Sequence, residues 1–397
     1  MAGPAREGLR VVILGAGQGG LQAAVSLRQE GHAGPITLIG AEPGLPYQRP
    51  PLSKAFLKTG QAEKLVLRPA AFFETAGIEL VPETPILRID RAGRRVHGGG
   101  RSWAYDHLIL ATGARNLRPD LPGVARALDL RSLADARALR AELGRPRRIA
   151  VIGGGFIGLE FAAVARGLGH AVTVAEAAPR LMARVLSPAM SARFAGLHRD
   201  LGTDLVLGDP VAEVTAEGLR LASGRALKAD LVLLAAGVRP NVELAEAAGL
   251  ALDNGIAVDA RLRTSDPAIS ALGDCAAFPD PVTGRRVRLE SVQAATDQAR
   301  AIARRLARGC DDAYAAVPWF WSDQADWKLQ IAGLAGPDHD SVETPDGAVF
   351  RFHGDRLSAV ETVNAAGVHM RARRALARPG GISRDMLERN GYDLSSV

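Results

Sequence analysis

Gly15-Ala16-Gly17-Gln18-Gly19-Gly20 follows the apolar run Val11-Val12-Ile13-Leu14, and Gly153-Gly154-Gly155-Phe156-Ile157-Gly158 follows Ile149-Ala150-Val151-Ile152. Each glycine stretch leads into a helical run, Leu21–Gln29 in the first copy and Leu159–Leu168 in the second. A second apolar strand comes next, Ile36–Ile39 or Ala171–Ala175, with an acid beyond it, Glu42 or Glu176. One G-x-G-x-x-G turn says little. Two of them in the same strand, turn, helix, strand and acid register define a duplicated dinucleotide-binding unit. The first two glycines permit a tight turn and close backbone approach to a pyrophosphate, and the third lets the helix pack on the strand. The helix start then offers free N–H groups and the positive end of its dipole to phosphate. Two such units in one chain imply a resident flavin dinucleotide and a visiting nicotinamide dinucleotide.

Working outward, Tyr105–Ala111 reads as a strand ending in Ala111-Thr112-Gly113-Ala114. Asp230–Ala236 reads as a strand ending in Gly237, and Ile269–Leu272 as a short strand ending in Gly273-Asp274. Ser291–Arg308 reads as a helix. After Pro318 the pattern changes to short alternating strands such as Leu329–Leu334, Ala348–Phe352 and Leu357–Val363, which predicts a separate α+β domain. The expected fold class is α/β, with two Rossmann-like nucleotide domains followed by that third domain.

Bulk properties narrow the function. The 397 residues are 47% hydrophobic and 23% charged, values for a globular protein. No run of some eighteen apolar residues occurs, so no transmembrane helix is expected. A strand begins almost at the first residues and leaves no room for a signal peptide, so a cytoplasmic location is expected. The two cysteines, Cys275 and Cys310, form no C-x-x-C pair. That argues against a disulfide framework, a metal site or an iron–sulfur cluster carried by this chain. The net charge of +6 is scattered rather than clustered. It suits a face that steers an acidic protein partner better than a nucleic-acid site.

More specific strings are Pro46-Tyr47-Gln48-Arg49-Pro50-Pro51-Leu52-Ser53-Lys54, Gly237–Asn241, Gly273-Asp274-Cys275, Glu290-Ser291-Val292 and Pro318-Trp319-Phe320-Trp321-Ser322-Asp323-Gln324. With the two glycine units they resemble the glutathione-reductase-fold ferredoxin reductases, NADH-dependent flavoproteins that serve haem-thiolate monooxygenases and aromatic-ring dioxygenases. Putidaredoxin reductase and biphenyl-dioxygenase ferredoxin reductase typify that family. The resemblance covers nearly the whole chain. It implies an FAD domain in two pieces (1–116 and 241–316), an inserted NAD domain (117–240) and a C-terminal domain (317–397).

The resemblance also implies site residues. Gly15, Gly17, Gly19, Gly20, Ala111, Thr112 and Gly113 would hold FAD, and Ile86 and Arg131 are further expected cofactor-binding residues. Asp274 would accept from the ribityl chain. The family acid expected directly after Gly40 is replaced by Ala41, and Glu42 is the substitute for the ribose contact. Glu290, Ser291, Val292 and Trp319 would neighbour the ring, with the helix dipole at Val292 facing its pyrimidine. Gly153, Gly155, Phe156, Ile157, Gly158, Glu176 and Gly237 would bind NADH. A carboxylate at Glu176 favours a free ribose 2′-OH and repels a 2′-phosphate.

Lys54 would lie beside the flavin and Glu160 would approach the nicotinamide, the two forming a catalytic pair. A redox C-x-x-x-x-C is absent after the first unit, which excludes disulfide chemistry of the kind this fold otherwise supports. The expected reaction is NADH to FAD to a two-iron, two-sulfur ferredoxin, with Arg68 and Arg300 meeting its acidic surface. Rubredoxin reduction, NADH oxidase activity and a redox-sensitive binding module like apoptosis-inducing factor are the alternatives.

Overall fold

The computed structural model describes residues 8–396, and the chain folds as two compact units. One unit comprises residues up to Gln48, Glu63–Arg115 and Arg239–Ala316. Its centre is a five-stranded parallel sheet in the order Ile269–Ala271, His107–Leu110, Val11–Leu14, Ile36–Ile39, Ile78–Val81. The central strands are buried on both faces, which is why they read as unbroken apolar runs rather than alternating ones. Helix Gln18–Gln29 packs against helix Val292–Arg308. Ala23, Ala24 and Leu27 of the first helix and Ala299, Ile302 and Ala303 of the second join the same core. An antiparallel meander of Ile86–Asp90, Arg95–Gly98 and Arg101–Ala104 and a small sheet of Ile256–Ala257, Ala276–Pro279 and Arg286–Val287 also belong to this unit.

The other unit comprises Arg49–Ala62, Asn116–Val238 and Val317–Val397. Its parallel sheet has four strands in the order Asp204–Leu207, Ala171–Glu176, Arg148–Ile152, Leu231–Leu234. A five-stranded antiparallel sheet follows Pro318, in the order Trp319–Gln324, Trp327–Gly333, Arg356–Val363, Val349–His353, Asp340–Glu343. Helices Ala366–Leu376 and Arg384–Arg389 contribute to its core through Ala372, Ala375 and Leu387. The Trp319–Gln324 strand sits ahead of the alternating runs, and its three aromatic positions mask the alternation. Ser322 and Gln324 are fully buried while Trp319, Phe320, Trp321 and Asp323 are only partly so.

Both glycine-turn helices start earlier than their apolar periodicity suggests, at Gln18 rather than Leu21 and at Phe156 rather than Leu159. In the first copy the opening turn is Gln18, Gly19 and Gly20, which carry no apolar side chain to extend the periodicity. Further along the chain, Ser291 stands just outside its helix as the N-cap, its hydroxyl accepting from the Ala294 amide at 3.0 Å.

Candidate functional site

In the first unit the residues of interest gather at the carboxyl edge of the parallel sheet, where open α/β sheets place their ligands. Gly15 follows Leu14, Ala111–Gly113 follow Leu110, Gly40 follows Ile39, and Gly273–Asp274 follow the Ile269–Ala271 strand by one residue. The close approaches there explain the glycines. A methyl group on Gly15 would fall 2.1 Å from the Ala111 carbonyl oxygen, and Gly15 has φ of +109° besides. On Gly20 it would fall 1.9 Å from the Gly15 oxygen, and on Gly19 it would meet the Leu272 side chain at 2.4 Å.

Gly17 is different. Its φ of −82° suits any residue, and nothing lies within 4 Å of where a side chain would begin. It is nevertheless glycine, at the N-cap of Gln18–Gln29, where no side chain caps the free amides. The second copy repeats this at Gly153, Gly155 and Gly158, while Ile157 stands where the first copy has Gly19. Gly153 and Gly158 are forced by backbone oxygens at 2.4 and 2.3 Å. Gly155 is an uncapped N-cap with φ of −84° and open space beside it. Two helix starts that leave both their amides and a side chain's worth of room unfilled are cradles for two phosphate-bearing ligands. FAD and NADH fit them.

Around the first cradle, Glu42 accepts from the Tyr47 hydroxyl at 2.5 Å. The amides of Glu83 and Thr84 donate to the Glu42 and Gly40 carbonyls, and this brings Ile86 into the neighbourhood. Thr112 donates its hydroxyl to the Asn241 carbonyl at 2.8 Å. Arg288 ties two expected residues together, donating to the Asp274 carbonyl at 3.1 Å and pairing with Glu290 at 2.8 Å. No motif pointed to Arg288. Only its position two residues before Glu290 could have drawn attention to it. Arg68 and Arg300 are both exposed. Arg68 lies over the Phe72 ring at 5.5 Å, and Arg300 reaches Asp297 at 3.1 Å.

Around the second cradle, both oxygens of Glu176 are held by backbone, one by the Gly154 amide at 2.6 Å and one by the Ala178 amide at 2.8 Å. Arg180 is held by the Ala183 and Leu186 carbonyls at 2.9 and 2.8 Å. Phe156 packs on Phe320 with ring centroids 4.5 Å apart, while Ile157 remains 43% exposed. Gly237 has φ of +102° and accepts from the Leu117 amide. Arg131 precedes the Leu133–Glu142 helix, its carbonyl accepting from Arg49 at 2.8 Å. Trp319 carries the Arg373 guanidinium over its ring at 4.7 Å.

The same unit holds a charged cluster. Pro50–Ser53 form a 3₁₀ turn rather than an irregular loop, because successive prolines preset φ. The turn ends on Lys54. Its ammonium lies 3.0 Å from Glu160 Oε1 and 3.1 Å from Asp323 Oδ2, with the lysine side chain only 18% exposed. This is not an ordinary surface lysine.

Glu160 stands in the Phe156–Gly167 helix with its side chain 4% exposed. Its Oε2 accepts from Ser53 at 2.6 Å and its Oε1 from Ser322 at 2.7 Å. Burial pushes its carboxyl above the ordinary 4.5, against the pull of Lys54 and the two serines. Ser53, Ser322 and Asp323 were not singled out from sequence, although the Pro-Pro-Leu-Ser-Lys and Trp-Phe-Trp-Ser-Asp-Gln strings contain them.

Residues 9–299 match the family described as Pyridine nucleotide-disulphide oxidoreductase, and residues 319–397 match Reductase C-terminal. The chain is 47% identical to rhodocoxin reductase of Rhodococcus erythropolis over 97% of its own length and 93% of the relative's. A ferredoxin reductase from Rhodopseudomonas palustris has a similar crystal structure, with a TM-score of 0.93 at 44% identity and 98% and 99% of the two chains covered. The covalent putidaredoxin reductase–putidaredoxin complex gives a TM-score of 0.92 at 37% identity, covering 98% of each chain. By these matches and by its two glycine cradles, the chain belongs to the pyridine nucleotide-disulphide oxidoreductase family and has the glutathione-reductase fold with a Reductase C-terminal domain.

Proposed function

We propose that this chain is an FAD-dependent reductase that takes electrons from NADH and passes them to a two-iron, two-sulfur ferredoxin supplying a monooxygenase or dioxygenase. The observation that carries the reading is the pair Gly17 and Gly155, each an unstrained, uncapped helix start with space beside it. Bound FAD would supply the conversion of a two-electron donor into single electrons.

The residues divide the remaining work. Gly15–Gly20, Glu42, Ala111–Gly113 and Asp274 hold FAD, with Glu290, Ser291 and Val292 toward its ring. Arg288 aligns Asp274 and Glu290. Gly153–Gly158 take the NADH pyrophosphate. The amides of Gly154 and Ala178 aim the Glu176 carboxylate for a ribose diol. Arg180 is committed to two carbonyls and offers little to a 2′-phosphate, so the donor is NADH rather than NADPH. Lys54 and Glu160 are the proposed catalytic pair, with Glu160 and Asp323 holding the ammonium in place. The proposed domain division is FAD on 1–116 and 241–316, NADH on 117–240 and a third domain on 317–397, although Arg49–Ala62 clusters with the second compact unit.

The relatives named above include a complex of a reductase with its putidaredoxin. Here the carrier is an acidic ferredoxin met by Arg68 and Arg300. Steady-state turnover with NADH and an acidic two-iron, two-sulfur ferredoxin tests the assignment. Ferredoxin reduction with NADH preferred to NADPH by about tenfold or more is expected. Turnover of a disulfide substrate without reduction of any one-electron carrier would overturn it.

A further inference from the structure

Behind Glu160 runs a chain of side chains that the reaction, as described so far, does not use. Ser322 donates to Glu160 Oε1 at 2.7 Å, Gln324 Nε2 donates to Ser322 Oγ at 3.1 Å, and His198 Nε2 lies 2.9 Å from Gln324 Oε1. Ser322, Gln324 and His198 are each 0% exposed. Ser322 and Gln324 stand two apart on the Trp319–Gln324 strand and so share its buried face. His198 comes from the Pro188–Asp200 helix. Apolar side chains would fill such a space at less cost than buried polar groups.

We infer that His198 and Gln324 are positioning residues for Glu160, acting through Ser322. The inference rests on the functional reading only in taking Glu160 as the group that meets the nicotinamide.

Hydrogen-bond polarity sets the direction of this chain. A serine hydroxyl has one proton, and Ser322 can give it to Glu160 only if its other neighbour donates. Gln324 presents its NH₂ to Ser322 because its carbonyl oxygen is claimed by His198. His198 makes that claim with a proton on Nε2. Its Nδ1 has no partner among the described residues, and burial disfavours a second proton on the ring, so the neutral Nε2–H tautomer is the one the site selects. The direction of the whole chain is thus set at its far end. The opposite tautomer would turn the Gln324 amide over and draw the Ser322 proton away from Glu160. Lys54 and, through it, Asp323 are the charged groups on the other side of the carboxylate.

Two measurements on the FAD-loaded enzyme test this. Nitrogen-15 NMR of labelled histidine should show His198 neutral, with its proton on Nε2, from about pH 5.5 to 8. A proton on Nδ1, or protonation within that range, overturns the proposal without any variant being made. In stopped-flow reduction by NADH, His198→Ala should move the acid limb of the pH profile upward by about half a unit. His198→Asn, which keeps an N–H donor, should restore it.

Ser322→Ala should give at least as large a shift, and His198→Ala/Ser322→Ala no more than Ser322→Ala alone. Shifts that add would show that His198 acts by another route, and no shift would show that it does not act. If the unaltered enzyme is not reduced by NADH at any pH, the functional reading fails, while the histidine tautomer still decides the hydrogen-bond chain.

Discussion

Lys54 Nζ lies 3.0 Å from Glu160 Oε1 although the glutamate side chain is only 4% exposed, so a charged pair is sunk beside the second glycine turn. Burial alone holds the carboxyl above its ordinary 4.5, and the ammonium is the largest influence pulling it back. A carboxyl whose folded value is raised contributes its full stability below its unfolded value and loses it as pH rises through the folded value. Lys54 limits that loss. Lys54→Met should therefore leave the protein near its native stability at about pH 5 and cost about 2–3 kcal/mol by about pH 8. Lys54→Met/Glu160→Gln should recover most of the loss. Thermal melts at the two pH values check this, and an equal fall in Tm at both would contradict it.

Gly17 and Gly155 offer a sharper test because neither is needed by the fold. Gly17→Ala should leave the apoprotein as stable as before, or up to about 1 kcal/mol more so. It should also weaken FAD retention at least about tenfold, since the methyl group fills the space meant for the pyrophosphate. Gly155→Ala should keep FAD and raise the Kd for NADH by a similar factor. Gly20→Ala, whose methyl group would fall 1.9 Å from the Gly15 oxygen, should instead destabilise the protein itself. Flavin content after gel filtration, NADH titration and melting curves separate the three.

Arg351 and Glu361 form a second buried pair, 2.9 Å apart and each 1% exposed, with Glu361 also accepting from the amide and hydroxyl of Ser187 at the start of the Pro188–Asp200 helix. Arg351→Met should cost about 3–5 kcal/mol because it leaves an uncompensated buried carboxylate. Chemical denaturation measures the loss. A change of less than about 1 kcal/mol would mean that Ser187 alone satisfies Glu361.

Arg68→Glu/Arg300→Glu should raise the KM for an acidic ferredoxin by about tenfold or more and flatten its dependence on salt. NADH-driven ferricyanide reduction should stay within about twofold, since neither residue belongs to the nucleotide cradles. Loss of both activities together would remove these arginines from the docking face.

The two nucleotide units were legible because their signals are local. Strand, turn and helix lie within thirty-odd consecutive residues, so the glycine spacing can be read without knowing the tertiary contacts that Gly15 makes with Ala111 and Gly153 with Ala235. The Lys54–Glu160 pairing was legible only through family resemblance. The rest of that cluster is tertiary. Ser53 and Ser322 reach the same carboxylate from a 3₁₀ turn and from the first strand of the last sheet, and no periodicity connects such distant positions. The same holds for Arg288, whose partners Asp274 and Glu290 meet it only through the fold. Glu176 shows a subtler gap. Its place at a strand end was readable, but not that two backbone amides already aim it.

One cradle for FAD and one for NADH, with one-electron delivery to a carrier and no thiol relay, make up the proposed reaction. Anaerobic stopped-flow mixing of the purified yellow protein with NADH, followed by oxidised two-iron, two-sulfur ferredoxin, tests it most directly. The account predicts that one NADH bleaches the flavin absorbance and that about two ferredoxins per flavin are then reduced as the colour returns. A flavin that NADH leaves oxidised, or one whose electrons no longer reach ferredoxin once the cysteines are alkylated, would contradict it.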